Sequence, residues 1–200
     1  MKKGEFARHE ALRLVRDEHR SLSAVVHAVL FIAKKIEKGA TPDLALLGAI
    51  VHYLTQFPER LHHPAEDRYL FEPLRRKTTE SGDVLDTLEL EHRGGEERSA
   101  RLTAAVNQLA AKMPGAQAAF LAEVERYAHF YWDHVVREET LVLPLAERML
   151  DEQDWAAAAE GFRANHDPMY GGDTANEFEV LFRRIVFLAP APIGLGGGGG

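Results

Sequence analysis

Residues of the buried type recur at alternating intervals of three and four along most of the chain, and this spacing constrains the fold more than any other feature. Such residues occupy positions 12, 15, 19, 22, 26, 29, 33 and 36, and similar series cover positions 85–109 and 120–145. A helix of about 3.6 residues per turn brings these positions onto one face. Alternating β-branched runs and Asn-Gly hairpin turns, the usual signs of strands, are missing. The sequence therefore predicts an all-α fold.

Turn residues divide this pattern into long helices. Pro58 and Pro64 lie inside the second helix, where we expect a kink or a short interruption. Long helices joined by short breaks predict an up-down-up-down four-helix bundle. The predicted helices run from about Phe6 to Lys38, from about Asp43 to Lys77, from the turn at 81–83 to about Lys112, and through positions 120–145 with a kink at Pro144.

We expect the chain to have three parts. Residues 1–150 form the predicted bundle. Residues 151–188 form a short C-terminal helical appendage packed on the outside of the bundle, with helices at about Asp151 to Phe162 and Asp173 to Leu188. Residues 189–200 end in five glycines and are expected to be disordered, because such a segment has almost no side chains to bury.

Composition excludes several kinds of function. The formal net charge is −7 and the sequence pI is about 5.8, which argues against nucleic acid or an anionic membrane surface as a partner. Because there is no cysteine, disulfides, thiolate metal sites and cysteine nucleophiles are excluded. No apolar run is long enough for a signal core or a bilayer span, so we expect a cytoplasmic protein. Nucleotide-binding loops and serine or zinc protease motifs are also missing.

Histidine and glutamate carry the candidate chemistry. A histidine is followed four residues later by a glutamate at three places: His62/Glu66, His92/Glu96 and His134/Glu138. Four residues are little more than one helical turn, so the members of each pair share a face. His19 adds an imidazole on the first helix. Imidazoles and carboxylates on four helices form a ligand set for transition-metal ions, and we expect two ions.

The position of these residues within the helices favours a metal over simpler interpretations. A single buried histidine is usually a hydrogen-bonded core residue, and a single His/Glu pair is usually a surface contact. Here, however, His19, His92, His134 and Glu138 all fall on the apolar faces. An ionised carboxylate in a helical core is costly unless a charge compensates it, and a metal cation supplies that charge.

Five other histidines are not expected to bind metal. His9 lies near the start of the chain and His27 lies off the apolar face. His52 and His129 lie one to two turns before the predicted ligands, so they are expected to be solvated or to support the site indirectly. His166 belongs to an Asn-His-Asp-Pro sequence, which is typical of a turn or a helix cap.

From about Arg16 to Met149 the chain resembles the hemerythrin family in its bacterial, cation-binding HHE form. The matching positions are Glu18-His19, His62-x-x-x-Glu66, Glu91-His92 and His134-x-x-x-Glu138. The resemblance implies a four-helix bundle that holds two irons bridged by an oxo or hydroxo group. It also implies that the histidines bind one iron or the other, while the carboxylates bridge both. The implied ligands are His19, His62, Glu66, His92, His134 and Glu138.

The chain departs from the oxygen-carrying members of that family in three places. Those members have a second histidine on the third helix where this chain has Glu96. They place the last carboxylate five residues after the histidine, which would select Glu139, whereas the bacterial form selects Glu138. His63 is an extra candidate, at a position where a related iron-sensing domain has a carboxylate ligand. With Glu96 or His63 as ligands the site would be more anionic or differently shaped.

Two classes of function stay open. The protein either binds or senses dioxygen, nitric oxide or iron, or it is an enzyme that acts on peroxide, nitric oxide or dioxygen. Imidazole-rich sites favour reversible binding and carboxylate-rich sites favour oxygen activation, and this chain has similar numbers of both ligands. The expected ligand is a small diatomic molecule or a peroxide, and the sequence names no protein partner.

Two other interpretations explain fewer residues. A ferritin-like or oxygenase-type carboxylate bundle would use Glu59-x-x-His62 and Glu89-x-x-His92, but it leaves His19 unexplained. A purely structural helical module with histidine-rich faces for transient zinc conflicts with the placement of the histidines on the apolar faces.

Overall fold

The computed structural model describes residues 3–80 and 82–166, together with helical positions 180, 183, 185 and 187. These residues are helical or lie in short turns, and none of them lies in a strand, so the predicted all-α class is confirmed. The α-helices are α1 (Lys3–Glu37), α2 (Leu44–Phe57), α3 (His63–Glu66), α4 (Glu72–Lys77), α5 (Gly82–Arg93), α6 (Gly95–Ala110), α7 (Ala116–Arg137), α8 (Leu143–Met149) and α9 (Glu152–His166). Three π-helical turns cover Pro58–His62, Asp67–Phe71 and Glu138–Val142.

The break between α1 and α2 follows from local backbone chemistry. Gly39 has a φ of +94°, a left-handed conformation that glycine adopts without strain just beyond a helix end. Its N–H donates to the carbonyl of Ile36 over 3.0 Å. Asp43 then caps α2, because its side chain accepts a hydrogen bond from the N–H of Leu46 over 3.0 Å. The turn therefore lies where the sequence predicts it.

The expected interruption of the second helical stretch takes the form of π-helical turns. From Leu44 to Lys77 the backbone stays helical, but wider turns occur at Pro58–His62 and Asp67–Phe71. In each of these turns the hydrogen bond spans five residues, as between the N–H of His63 and the carbonyl of Pro58. A third such turn, Glu138–Val142, directly precedes the segment of Pro144, where a kink was expected. All three turns adjoin predicted ligands.

The third predicted helix is broken, contrary to expectation. A turn at Gly94 separates α5 from α6. Consecutive glycines weaken a helix, and Gly95 is buried directly against the carboxylate of Glu59, where an added Cβ would collide with it. Beyond the break Glu96 is exposed, so it does not share the buried face of His92. The prediction that this pair points to one site is wrong.

The helices form a bundle whose buried residues separate into two apolar clusters. Contacts link α1 with α2, α2 with α6, α6 with α7, and α7 with α1. In α1 one cluster ends at Val15 and the other begins at Leu22. In the fourth stretch the clusters likewise end and begin at Tyr131 and Val142. His19, His134 and Glu138 fall in these intervals, so the polar residues lie between two apolar layers.

The C-terminal helix α9 packs along α1. Trp155 and Phe162 are buried in the cluster that also contains Val15, and Arg163 donates to the carboxylate of Glu10. The helix is longer than predicted and includes Asn165 and His166, while Asp167 and Pro168 of the expected turn lie outside the described residues.

Part of the predicted C-terminal region lies outside the described residues. This applies to most of the Asp173 to Leu188 segment and to the whole tail 189–200, although Ile185 is helical and buried in the cluster that contains Leu22. The proposed division at residues 150 and 188 stays a prediction. In the described part of the chain, no helix is long and apolar enough to cross a membrane.

Candidate metal centre

Four histidines from four helical stretches point one ring nitrogen, Nε2, at a pair of buried glutamates. The histidines are His19 of α1, His62 of the first π-helical turn, His92 of α5 and His134 of α7, and the glutamates are Glu66 and Glu138. All six side chains are buried. The structure therefore brings together every residue that the family resemblance implies, and it does so in the interval between the apolar clusters.

The two carboxylates occupy the middle of this cluster. Glu66 reaches His19 Nε2 at 3.4 Å with one oxygen and His62 Nε2 at 3.5 Å with the other. Glu138 reaches His19 Nε2 at 3.4 Å and His134 Nε2 at 3.0 Å. Two ligand atoms that each lie about 2.1 Å from one ion are separated by about 3 Å or slightly more. The spacing thus fits donors arranged around cations.

The ligand atoms form two groups that share both carboxylates. Within each group, atoms from different residues lie within 4.8 Å of one another. The first group is His19, His62, Glu66 and Glu138, and the second is His92, His134, Glu66 and Glu138. Each group thus contains two histidines together with both glutamates.

The buried polar atoms at the centre test whether a cation fits. Nε2 of His19, one oxygen of Glu66 and both oxygens of Glu138 are buried without a hydrogen-bond partner. Buried polar atoms in folded proteins are nearly always paired, and unpaired carboxylate oxygens are especially costly. Cations would satisfy all four atoms at once, so the donor set fits a bound metal.

Without a bound cation, protonated imidazoles would compensate the charge of the carboxylates. Burial acts to lower the pKa of His92, but Asp67 and Glu138 outweigh it and raise that pKa to about 10. Burial likewise opposes the charge on His134, and Glu138 raises its pKa to about 9. Against burial, His134 holds the pKa of Glu138 well below its ordinary value. Incoming cations would have to displace these imidazole protons.

A ring of outer acids holds the other nitrogen of each histidine. Because a carboxylate only accepts, each Nδ1 must carry a proton and donate it, which leaves Nε2 free to bind a cation. The four pairs are His62 with Glu18 at 2.7 Å, and His19 with Glu139, His92 with Asp67 and His134 with Glu91, each at 2.8 Å. Sequence analysis did not assign these roles, and it treated Glu139 as an alternative ligand.

The outer acids follow a pattern that the sequence does contain. Each one is adjacent in the chain to a candidate ligand, but it contacts a histidine of another helix: Glu18 precedes His19 and binds His62, and Glu91 precedes His92 and binds His134. The adjacent acid is a usable sequence signal, whereas its partner depends on the three-dimensional arrangement. The same arrangement, an acid beside one ligand that binds the histidine of another helix, occurs for Glu18 with His62 and for Glu91 with His134. The site therefore has pseudo-twofold symmetry.

The structure supports His63 as a candidate metal ligand but not Glu96. His63 is buried, and its ring stacks on that of His92 with 4.1 Å between the ring centroids. It forms a third possible ligand group with His92 and His134. Burial lowers its pKa well below the ordinary value, so it is neutral and able to bind a cation. Glu96 is exposed and belongs to none of the groups found among the described residues.

Other candidates from the sequence lie away from the cluster. Glu89, which a ferritin-like scheme requires, pairs instead with Arg75 on the surface. The four histidines expected to be solvated are exposed: His9, His27, His52 and His129. The structure therefore favours the hemerythrin-like ligand set over the ferritin-like one.

A small cavity lies beside the histidines. Its volume is about 10 Å³, close to the minimum for one water-sized molecule. His62, His63 and His134 form one side, and the apolar lining includes Leu22 and Val135. Glu59 and Arg98 also line it, with Arg98 stacked over the ring of Phe130. A molecule in this cavity would be close to the cluster and largely removed from bulk water.

Comparison with known protein families agrees with this geometry. The family model described as the hemerythrin HHE cation-binding domain matches residues 10–146, well over half of the chain. The chain therefore belongs to the hemerythrin HHE family, as the sequence motifs indicated. Neither the curated proteins nor the solved structures compared with it gave a match.

Proposed function

We propose that this protein binds two iron ions and uses them to bind a small ligand such as dioxygen or nitric oxide. The observation that carries the proposal is the sharing of Glu66 and Glu138 between two ligand groups. We further interpret the ring of helix contacts as an up-down-up-down four-helix bundle, with α9 attached outside it. That topology brings one ligand-bearing segment from each long helix to the same depth.

Each half of the chain would supply its own iron ligands. His19 and His62 would hold one ion, His92 and His134 would hold the other, and His63 is a further ligand for the second position. Mixed imidazole and carboxylate donors suit iron better than calcium or magnesium, which prefer oxygen alone. When bound, a pair of irons supplies redox-active positions at which a small molecule can be held or reduced.

The neighbouring cavity supports a small ligand, because its volume of about 10 Å³ is close to the minimum for one water-sized molecule. Its hydroxyl-bearing residues are already engaged, since Tyr131 donates to the carbonyl of His19 and Tyr127 to that of Leu54, each over 2.8 Å. The rest of the lining combines apolar side chains such as Leu22 and Val135 with Glu59, Arg98 and the histidines, and the small size of the cavity favours diatomic molecules over larger substrates. This supports binding or sensing as the principal function.

An enzyme that breaks down peroxide to water and dioxygen is the second candidate, and Glu59 favours it. This side chain lines the cavity, and burial raises the pKa of its carboxyl group although Arg98 acts in the opposite direction. A carboxyl group with a raised pKa can retain a proton and donate it to a departing oxygen. The His63 ring lies next to it, with Nδ1 at 3.7 Å from Glu59 Oε2.

Iron content and visible spectra test both functions. The purified protein is loaded with ferrous ion without oxygen, and its spectrum is recorded before and after addition of dioxygen, nitric oxide or hydrogen peroxide. Two irons per chain and a reversible spectral change with a diatomic gas support binding or sensing. Steady consumption of peroxide with the iron retained supports the enzyme. A folded protein that takes up no iron would contradict both.

A further inference from the structure

The C-terminal helix α9 contributes a buried side chain to one half of the metal centre. Asn165, in the last turn of α9, is buried, and its side-chain Nδ2 donates to Glu18 Oε1 over 3.1 Å and to the carbonyl of Leu61 over 3.3 Å. Glu18 in turn accepts from His62 Nδ1 through its other oxygen. A continuous hydrogen-bonded chain thus runs from α9 to a candidate iron ligand.

The corresponding acid in the other half is held differently. Glu91 takes the place of Glu18 there, but it retains some exposed surface and is paired with Arg137 over 2.6 Å, a residue of the bundle itself. Glu18 has no exposed surface, so water cannot solvate the oxygen that Asn165 contacts. The amide of Asn165 is therefore the counterpart of the Arg137 guanidinium, supplied from outside the bundle.

We propose that Asn165 is a positioning residue for the iron held by His19 and His62. It fixes Glu18, Glu18 fixes the ring orientation and the basicity of His62, and the occupancy of that iron position becomes coupled to the docking of α9. The proposal rests on the proposed function, because it presumes that iron is bound. The proposal goes beyond the proposed function because it gives α9 a role at one of the two iron positions. The helix α9 lies outside the matched family domain.

The docking of α9 does not itself depend on this amide. Trp155 and Phe162 bury large apolar surfaces against the bundle, and Arg163 pairs with Glu10 closer to the start of α1. These contacts are sufficient reason for α9 to lie where it does. A polar group buried at its last turn therefore has a local effect, on the acid that it contacts.

Asn165→Leu tests the proposal, with Arg163→Leu as the matched control. Leucine has nearly the shape of asparagine but no donor. The control weakens an ion pair of the same helix without touching the metal cluster. Both variants and the wild type are titrated with ferrous ion enriched in iron-57, and Mössbauer spectra resolve the two iron positions. Thermal unfolding is followed with and without iron. If Asn165→Leu does not fold, Asn165→Ala replaces it.

The expected result is selective. Asn165→Leu should bind one iron as the wild type does and the other about tenfold more weakly, the lower end of the effect of losing an outer hydrogen bond. Its stabilisation by iron should shrink, whereas Arg163→Leu should lower unfolding temperatures with and without iron alike. Equal, wild-type affinity for both irons in the Asn165 variant would overturn the inference. A wild type that binds no iron would instead overturn the proposed function.

Discussion

The two halves of the candidate metal centre carry the same two motifs, Glu-His and His-x-x-x-Glu, but lie in different surroundings. His19 and His62 lie against Glu18, which is fully buried beneath α9. His92 and His134 lie beside His63, and Glu91 remains partly exposed. The first half is closed by an added helix, and the second has an extra imidazole. From this comparison we expect ligand exchange to be easier in the second half.

The largest effect is expected when a carboxylate shared by both halves is replaced. Glu138 belongs to both ligand groups, so Glu138→Gln should weaken both iron positions by more than the factor of about 100 seen for outer partners. Glu96→Gln is the control, since Glu96 is exposed and outside both groups, and it should retain two irons. Iron analysis after desalting measures the difference. Loss of only one iron from Glu138→Gln would show that the carboxylate is not shared.

Substitution of the outer acids should separate the halves. Glu18→Gln and Glu91→Gln each replace the acceptor for one histidine, and each should weaken one iron position by a factor of about 10–100. The effect should be larger for Glu18, because it is fully buried whereas Glu91 can exchange its contacts with water. Iron-57 titration of the variants gives both affinities. Equal losses of iron affinity in the two variants would show that the closed half with Glu18 does not differ from the more exposed half with Glu91.

Acidity should affect the metal-free and iron-bound proteins in opposite ways. The pKa of His92 is raised to about 10 and that of His134 to about 9, so both rings are protonated near pH 7. Their protonation stabilises the folded metal-free protein fully below about pH 6.5, and this contribution is lost as the pH rises through about 9–10. Cation affinity should instead increase as the pH rises over the same range, by about tenfold per unit for each proton displaced.

Zinc titration avoids iron oxidation and measures this effect directly. Proton release on binding should be largest near neutral pH and should disappear above about pH 10, where the rings are already neutral. Unfolding temperatures of the metal-free protein should fall between about pH 6 and pH 10. This range begins near the ordinary pKa of histidine, which is about 6.5. Binding that releases no protons at neutral pH would mean that the imidazoles are not the ligands.

The sequence was sufficient for the elements whose chemistry is local. Apolar spacing predicted the helices, Gly39 and Asp43 predicted a boundary, and the histidines on apolar faces predicted the cluster. It failed where a residue's role depends on another helix. The third helix breaks at Gly95, which is in direct contact with Glu59, 36 positions earlier in the chain. The spacing of apolar residues along one helix cannot predict such a contact.

Asn165 shows the same limitation for the site. Its sequence neighbours suggested a turn, because asparagine and aspartate next to proline favour one. In the structure the packing of α9 on α1 extends the helix through this residue and turns its amide toward Glu18. Tertiary contacts therefore decided both the secondary structure and the role. The outer acids are an intermediate case, predictable as a class but not as pairs.

The smallest effect on iron content should come from Glu59, and it distinguishes the two candidate functions. Glu59 lines the cavity but belongs to neither ligand group, so Glu59→Gln should retain both irons and their affinities. If its carboxyl group donates a proton to peroxide, the variant should lose peroxide turnover by a factor of about 100, the low end for a general acid. If the protein only binds diatomic ligands, nitric oxide affinity should change by less than about threefold, since the substitution keeps the shape of the side chain. Loss of turnover with iron and nitric oxide binding intact would assign Glu59 a part in catalysis, whereas unchanged turnover would show that Glu59 is not the proton donor.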